Sequence, residues 1–349
     1  VSKKPTLRDV SRVTGLSMWT VSRALGDLSG VSSDTRETVR QAAAELGYVP
    51  NRVAQELRKN TRRSVAVITA STSNYYYINM MKGIQRTLRP TGRTAVVADI
   101  AAEGVYTREL EDATVQDLIQ SRAAGVIATL TLSLDSVELL EKWDIPVVFV
   151  DSDPPAEAAM VPAITMDNFA ASVEVGAHLA GHGYRDWLFL AYPSRWSTRA
   201  DRERGIRHAS ERFQANLEVI ESENDVESAY ATLSAHLDHG SLPRAIVAAN
   251  NPMVHGALRV LHERSFAVPD QVALIGYDDF DWAPLLNPAL TVLDQDSEDI
   301  GVQAAQILTR IIEDQIQSER NGRPPRPAYQ PADRRRVEPR LIVRRSCGC

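Results

Sequence analysis

The sequence predicts a small all-α head followed by a larger α/β body of two similar lobes, and three observations predict it. Residues 1–63 hold 12 Lys and Arg against 6 Asp and Glu, and the remainder holds 27 against 39, so a head of +6 precedes a body of −12. The head shows a helix, glycine, helix pattern without a strand-like run. From Ser64 onward, short apolar runs alternate with amphipathic stretches, the texture of parallel sheets with helices on both faces.

In the head, Thr6 precedes Leu7-Arg8-Asp9-Val10, an N-cap hydroxyl with an acid three residues on, and Leu7, Val10 and Val13 recur at helical spacing. Gly15 ends this helix, and Ser17 caps a second one over Met18–Leu25. A third helix is expected from Ser33 or Asp34 to Leu46, with Val39, Ala43 and Leu46 on one face and Gly47 as its stop. Three helices of this size make a helix-turn-helix unit whose second element fits a major groove.

In the body, strands are expected at Ser64–Ala70, Thr94–Asp99, Gly125–Leu130, Pro146–Asp151, Trp187–Ala191, Ala245–Ala249 and Val272–Gly276. Helices are expected at Ile78–Leu88, Thr107–Ser121, Ser136–Trp143, Asn168–His182, Arg199–Phe213, Ser228–His239 and Met253–Arg264. So many units exceed one sheet, and two lobes with facing carboxyl edges form a ligand cleft.

An apolar content of 44% and a charged content of 24% describe ordinary globular material and exclude disordered, collagen-like and disulfide-scaffold classes. No run approaches the roughly 20 apolar residues of a membrane span, and Val1-Ser2-Lys3-Lys4-Pro5 leads into a polar helical pattern, so a cytoplasmic chain is expected. A basic head on an acidic body is the footprint of nucleic-acid binding by one end. Cys347 and Cys349 are one residue apart, too few ligands for zinc by themselves, and His178 and His182 flank Leu179-Ala180-Gly181 without the glutamate of a zinc hydrolase. No metal and no cofactor are therefore expected. A phosphate loop and a dinucleotide glycine motif are both absent, and no nucleophile with its base can be identified, so the chain is not read as an enzyme. Arg334-Arg335-Arg336 is read as a segment lying among the acids of the body.

Specific residues then point to a family. Thr6-Leu7-Arg8-Asp9-Val10, Gly15-Leu16-Ser17, Thr20-Val21-Ser22-Arg23-Ala24-Leu25, Val31-Ser32, Thr35-Arg36, Glu45 to Asn51 and Ala54-Gln55-Glu56-Leu57 run without a gap in spacing. They resemble the head of the lactose-repressor (LacI/GalR) family of transcription regulators. Phe149-Val150-Asp151, Met166-Asp167-Asn168, Arg202 with Gly205, Asn250, Gly276-Tyr277-Asp278-Asp279, Gln295-Asp296 and Pro339 to Arg344 are similar to that family's sensor, a type I periplasmic-binding-protein-like domain. The resemblance implies a homodimeric repressor on a pseudo-palindromic operator, controlled by a small molecule held between the lobes.

It also implies a division into a helix-turn-helix domain (1–50), a hinge (51–63) and an effector-binding and dimerisation domain (64–349). Within the last, lobe 1 spans about 64–164 and 296–325, and lobe 2 about 165–292 and 326–345. The resemblance implies that double-stranded DNA is met by Thr6, Leu7, Ser17, Met18, Trp19, Thr20, Ser22, Arg23, Ser32, Thr35, Asn51, Arg52, Ala54 and Leu57. Arginine can take guanine O6 and N7 bidentately, worth roughly 1–3 kcal/mol of discrimination. Met18 and Trp19 depart from the smaller or polar residues usual at the two base-reading positions, so the operator sequence does not transfer from relatives. Trp19 either packs in the core or contacts bases. Leu57, on a helix too short to stand alone, would wedge between base pairs in the minor groove, or else pack on the body.

For the effector, the resemblance marks Tyr76, Tyr77, Asp151, Trp196, Arg202, Asn250 and Asp278. Carboxylates, an amide and a guanidinium suit a polyhydroxylated ligand, and aromatic faces suit sugar C–H surfaces or flat bases. A sugar is the expected effector, with a purine or a sugar phosphate as the alternative; a solute-binding protein would share the body but not the basic head. In the run Tyr75-Tyr76-Tyr77, at least one tyrosine is expected in the core. Nothing after Val343 resembles a leucine heptad, so no tetramerising coiled coil is expected.

Overall fold

The computed structural model describes residues 4–26, 28–50, 61–69, 74–100, 106–194 and 196–349. Contacts divide the chain into a unit ending at Arg63 and a unit from Ser64 to Cys349.

The first unit consists of α1 (Leu7–Thr14), α2 (Met18–Leu25) and α3 (Ser33–Leu46). Gly15 and Gly47 close α1 and α3 with left-handed backbone, φ 68° and 66°. Val10, Val21, Ala24, Val39, Ala42 and Ala43 form the core, with Leu7, Leu16, Leu25 and Leu46 packed around it. Val13 lies outside that core and is exposed, because an eight-residue helix turns only one narrow stripe toward its two neighbours.

The second unit runs β1 (Ser64–Thr69), α4 (Tyr75–Leu88), β2 (Thr94–Asp99), α5 (Arg108–Gln120), β3 (Gly125–Ala128), α6 (Leu134–Lys142), β4 (Val147–Val150) and β5 (Ala163–Met166). It continues α7 (Asn168–Gly181), β6 (Asp186–Ala191), α8 (Ser197–Arg212), β7 (Asn216–Glu221), α9 (Val226–His239), β8 (Ala245–Ala248), α10 (Asn251–Glu263) and β9 (Ala273–Tyr277). The last elements are β10 (Thr291–Asp294), α11 (Ser297–Arg320), β11 (Arg334–Val337) and β12 (Arg340–Ile342).

Two six-stranded sheets result, ordered β11-β5-β4-β3-β1-β2 and β12-β10-β9-β8-β6-β7. Both repeat one winding, and all pairings are parallel except β12 on β10. Central strands such as β4 and β8 are buried throughout, as a sheet covered on both faces requires.

The expected lobe boundaries need correction. The sequence reading gives 326–345 to lobe 2, but β11 pairs in parallel with β5 of the first sheet, and only β12 completes the second. A strand of three arginines on a sheet edge has no apolar signature to betray its side. Its arginines do meet acids, Arg334 with Asp153 at 2.6 Å and Arg336 with Asp167 at 3.4 Å.

Helices α4 and α11 cross with their backbones nearly touching. A Cβ on Gly83 would run into the Glu298 carbonyl oxygen, and one on Gly301 into that of Met80. This pair seats α4, and with it Tyr76 and Tyr77, over the carboxyl ends of the first sheet.

Candidate functional site

The head presents two helix N-termini of the same construction. Ser17 accepts from the Thr20 amide at 3.1 Å, and Ser32 from the Thr35 amide at 3.3 Å. Both serines are exposed, so each N-terminus offers amide and hydroxyl donors of the kind that hold a phosphate. Thr6 caps α1 by donating its amide and hydroxyl to Asp9, at 2.9 and 2.6 Å.

Met18 and Trp19 stand out on α2, 47% and 63% exposed, so the core alternative for Trp19 does not hold. The Arg23 guanidinium lies 4.7 Å from the Trp19 ring centre, and its Nε donates to the Ser29 carbonyl at 2.9 Å. This arginine is thus engaged by the α2–α3 turn, and presenting a full fork to a guanine requires it to leave Ser29. Ser22 is half-buried on the same helix, and Leu7 is partly spent on the core. Asn51, Arg52, Ala54 and Leu57 lie outside the described residues.

In the second unit, a cavity of about 240 Å³ opens between the carboxyl edges of the two sheets. Tyr76, Tyr77, Asp151, Trp196, Arg202, Asn250 and Asp278, all marked in the sequence, line it. So do Asn74, Tyr106, Thr129, Thr131, Tyr192, Thr198 and Asn224, which sequence reasoning passed over. Apart from Thr198, in the first turn of α8, these are ordinary polar residues in the loops that leave the strands, and only their place after a strand end could have pointed to them.

Each of the marked side chains has a structural reason for its place. Asp151 and Asp278 follow directly on β4 and β9, with left-handed backbone at φ 59° and 66°. Arg202, on α8, is 2% exposed; its Nε donates to Asn168 Oδ1 at 2.8 Å and its Nη1 to the Ala249 carbonyl at 2.6 Å, with the guanidinium 4.5 Å from the Tyr277 ring centre. Asn250 caps α10 by accepting from the Met253 amide at 3.1 Å, and its Nδ2 donates to Asn224 Oδ1 at 2.7 Å. Gln295 Nε2 donates to Asp278 Oδ1. Tyr76 is 2% exposed and part of the lobe 1 core, yet its hydroxyl has no hydrogen-bond partner among the described residues.

Burial dominates the electrostatics. It pushes the Asp151 carboxyl up to about 7, with Arg202 opposing and Asp278 adding. Burial likewise raises Asp278 to about 6, against the pull of Arg202 and the Gln295 hydrogen bond. The Asp151 residue keeps some surface in the cleft mouth while its carboxyl is enclosed. Burial works against the charge of Arg202, but the surrounding tyrosines and both carboxylates outweigh it and hold the guanidinium firmly protonated.

One seam joins the lobes beside the cavity. Asn251 Nδ2 donates to Asn74 Oδ1 at 3.0 Å, Tyr75 packs on Phe280 and Trp282 with ring centres 6.0 and 5.8 Å away, and Lys82 meets Asp281 at 3.6 Å.

A correction concerns the ligand pairs set aside in the sequence. His178 and His182, at the C-terminal end of α7, and Cys347 and Cys349 do not remain separate pairs: their ligand atoms lie within 4.8 Å of one another. Sequence separation hid this, since each pair alone is half a site.

The fold agrees with comparisons to known proteins. Residues 62–332 match the model for periplasmic binding proteins and the sugar-binding domain of the LacI family, and residues 6–51 match that for bacterial regulatory proteins of the lacI family. The chain is 31% identical over 310 residues to the transcriptional regulator PtxS of Pseudomonas putida, covering 88% of this chain and 89% of that one. It is similar to the lac repressor dimer bound to operator and the anti-inducer ONPF, with a TM-score of 0.75, 26% identity and 99% of both chains covered. It is also similar to the transcriptional regulator CelR in complex with cellobiose, with a TM-score of 0.65, 27% identity, and 98% and 99% of the chains covered. No helix among the described residues is long and apolar enough to cross a membrane. The chain belongs to the LacI family of helix-turn-helix transcription regulators, with a periplasmic-binding-protein-like domain behind its DNA-binding head.

Proposed function

We propose that the protein is a cytoplasmic repressor that binds a pseudo-palindromic operator as a homodimer and senses a small neutral sugar in the cleft of its second unit. The observation that carries the effector reading is the wall of that cleft: two buried carboxyls, a fixed guanidinium, Asn250 and an unpartnered Tyr76 hydroxyl converge on one cavity. Buried polar groups are normally satisfied, so the Tyr76 hydroxyl favours a polar occupant. About 240 Å³ is below the usual range for drug-sized ligands, which fits a compact molecule.

Charge separates the candidate classes. Asp151 and Asp278 face a single Arg202 that is already bonded to Asn168 and Ala249, so an anion entering the cleft meets more repulsion than attraction. This favours a neutral polyol over a sugar phosphate. Trp196 and the tyrosines supply the apolar faces that sugar C–H groups need.

Support for the dimer lies on β2, an edge strand that leaves Val96 and Val97 50% and 42% exposed beside Ile78 of α4, also 42% exposed. Val97 and Ile78 line one groove while Val96 faces the other side of the sheet, and an exposed apolar patch on an unpaired edge is a surface that a second copy would cover. Control of the operator would then arise because an effector touching both lobes alters the seam at Asn74, Tyr75 and Lys82. Titrating neutral monosaccharides, sugar phosphates and purines into the full chain, with thermal unfolding as the readout, tests the reading. Stabilisation by a neutral sugar is expected; stabilisation by a phosphorylated ligand or a purine alone would overturn the sugar assignment while leaving the regulator intact.

A further inference from the structure

We propose that His178, His182, Cys347 and Cys349 form a zinc site that clips the segment 345–349 to α7. The inference starts from an improbable meeting. The chain has only two cysteines and seven histidines, and both cysteines and two of the histidines come together at one point, 165 residues or more apart in sequence. His182 Nε2 lies 3.0 Å from Cys349 Sγ, and His178 Nε2 lies 3.8 Å from the same sulfur. The two imidazoles stand 4.8 Å apart between ring centres at an interplanar angle of 70°.

These distances fit one ion. Zinc bonds of about 2.3 Å to sulfur and about 2.0–2.1 Å to nitrogen place tetrahedral ligands about 3.3–3.8 Å from one another. Ligand atoms already within 4.8 Å need only small side-chain adjustments to reach that figure. Two thiolates with two imidazoles in a tetrahedron select zinc over calcium or magnesium, which require oxygen ligands. Four protein ligands leave no open position, so the site is structural rather than catalytic.

Local structure holds each half in place. A spacing of four puts His178, in the last turn of α7, and His182, its C-cap, on one face. Gly348, between the cysteines, takes φ 95°, which turns Cys349 back toward the histidines; a Cβ there would strike the Tyr184 hydroxyl. Tyr184 donates that hydroxyl to the Cys347 carbonyl at 3.1 Å and stacks on His182 with ring planes 20° apart. Ser346 donates its hydroxyl to the Leu274 carbonyl at 2.6 Å and accepts from the Thr291 amide at 2.8 Å, which pins the segment to the second sheet. The Thr291 hydroxyl donates to Cys347 Sγ at 3.1 Å, a hydrogen bond suited to a thiolate. Arg344, just before this segment, grips Asp279 with two hydrogen bonds of 2.9 and 2.7 Å, so a clip at 347–349 braces the loop that carries Asp278 into the cleft.

The test uses the full chain, kept reduced, stripped with a chelator and titrated with zinc, with cobalt as a coloured probe of the same site. One zinc per chain is expected, together with the visible bands of a tetrahedral cobalt thiolate complex and a thermal midpoint several degrees above that of the stripped protein. Cys349→Ser and His178→Gln change partly exposed side chains at the margin of the core; each is expected to remove the zinc-dependent shift at one equivalent of zinc while leaving the stripped midpoint unchanged, and Cys349→Ser also to weaken the thiolate bands. Binding of no zinc by a chain with two free thiols, or one zinc retained in both variants, would overturn the proposal. A cobalt spectrum without thiolate character would do the same.

Discussion

Asp151 and Asp278 occupy matching positions in the two lobes. Each is the first residue after the fourth strand of its sheet, each has left-handed backbone at φ 59° or 66°, and each interacts with the Arg202 guanidinium. Aspartate tolerates this conformation better than most side chains, and the sharp turn lifts the carboxyl off the strand end into the cavity. Repetition of one fold has thus produced a pair of acceptors facing each other across a cleft.

Their titration has opposite consequences for stability and for binding. Both carboxyls have folded values, about 7 and about 6, above the ordinary aspartate value of roughly 3.9. A raised folded value means that the native state holds its protons longer, so this contribution to stability is complete below about pH 4 and is lost as pH rises toward 7. Ionised carboxylates are the better acceptors for sugar hydroxyls, so effector affinity is expected to rise over the same range. Denaturant melts and calorimetric titrations from pH 5 to 8 check both slopes. Asp151→Asn should flatten each; a ligand affinity independent of pH would contradict the assignment.

Asp278→Asn retains shape and removes a charged acceptor. Loss of a hydrogen bond to a charged group is worth about 1.5–3 kcal/mol, so effector affinity should fall about 10- to 150-fold with the fold unchanged. Isothermal titration beside a circular dichroism spectrum separates the two effects.

Gly83→Ala is expected to destabilise the second unit without touching any polar group. Its Cβ has no room against the Glu298 carbonyl, and overpacking of this kind costs about 1–3 kcal/mol. A lower urea midpoint with an unchanged slope is the expected result. An unchanged midpoint would mean that α4 and α11 can separate freely.

For the head, operator affinity should fall steeply with salt, since six to ten phosphate contacts lose about 10³- to 10⁵-fold between 50 and 200 mM. Trp19→Ala should relax preference at one base position by about 1–3 kcal/mol and leave non-specific binding alone. Binding to a randomised operator library, compared between the two proteins, measures the change directly.

Much of this was legible in the sequence because it rested on short-range signals. Ser17, Gly15 and Gly47 bound the head helices at the residues where a cap and stops were expected, and α3 begins at Ser33, one of its two expected starts. The apolar strand runs likewise fell within a residue or two of β1 to β4, β6, β8 and β9. What escaped was set by position in the fold. Strand β7, Asn216–Glu221, is a half-exposed edge with charges, and β11 is mostly arginine, so neither shows the apolar run of a central strand. The 24-residue α11 reads as an ordinary amphipathic surface until its partner α4 is known. Within the cleft, the charged residues were recognisable by motif, but Asn74, Tyr192 and Asn224 became neighbours only through folding. The meeting of His178 and His182 with Cys347 and Cys349 is the extreme case, since neither pair is informative until the segment 345–349 returns to α7.

The most direct test of the central claim is operator binding by the full chain, followed by fluorescence anisotropy on an operator selected from a random library, with and without each neutral monosaccharide. At least one sugar is expected to shift the operator midpoint by about 5- to 150-fold at saturation, the usual range of allosteric coupling, and Asp278→Asn should raise the sugar concentration that gives half of the shift at least about 10-fold. If only an anionic ligand moves the midpoint, the sugar reading fails; if the sugar concentration for half of the shift is the same in Asp278→Asn, the cleft at Asp278 is not the site that governs DNA binding.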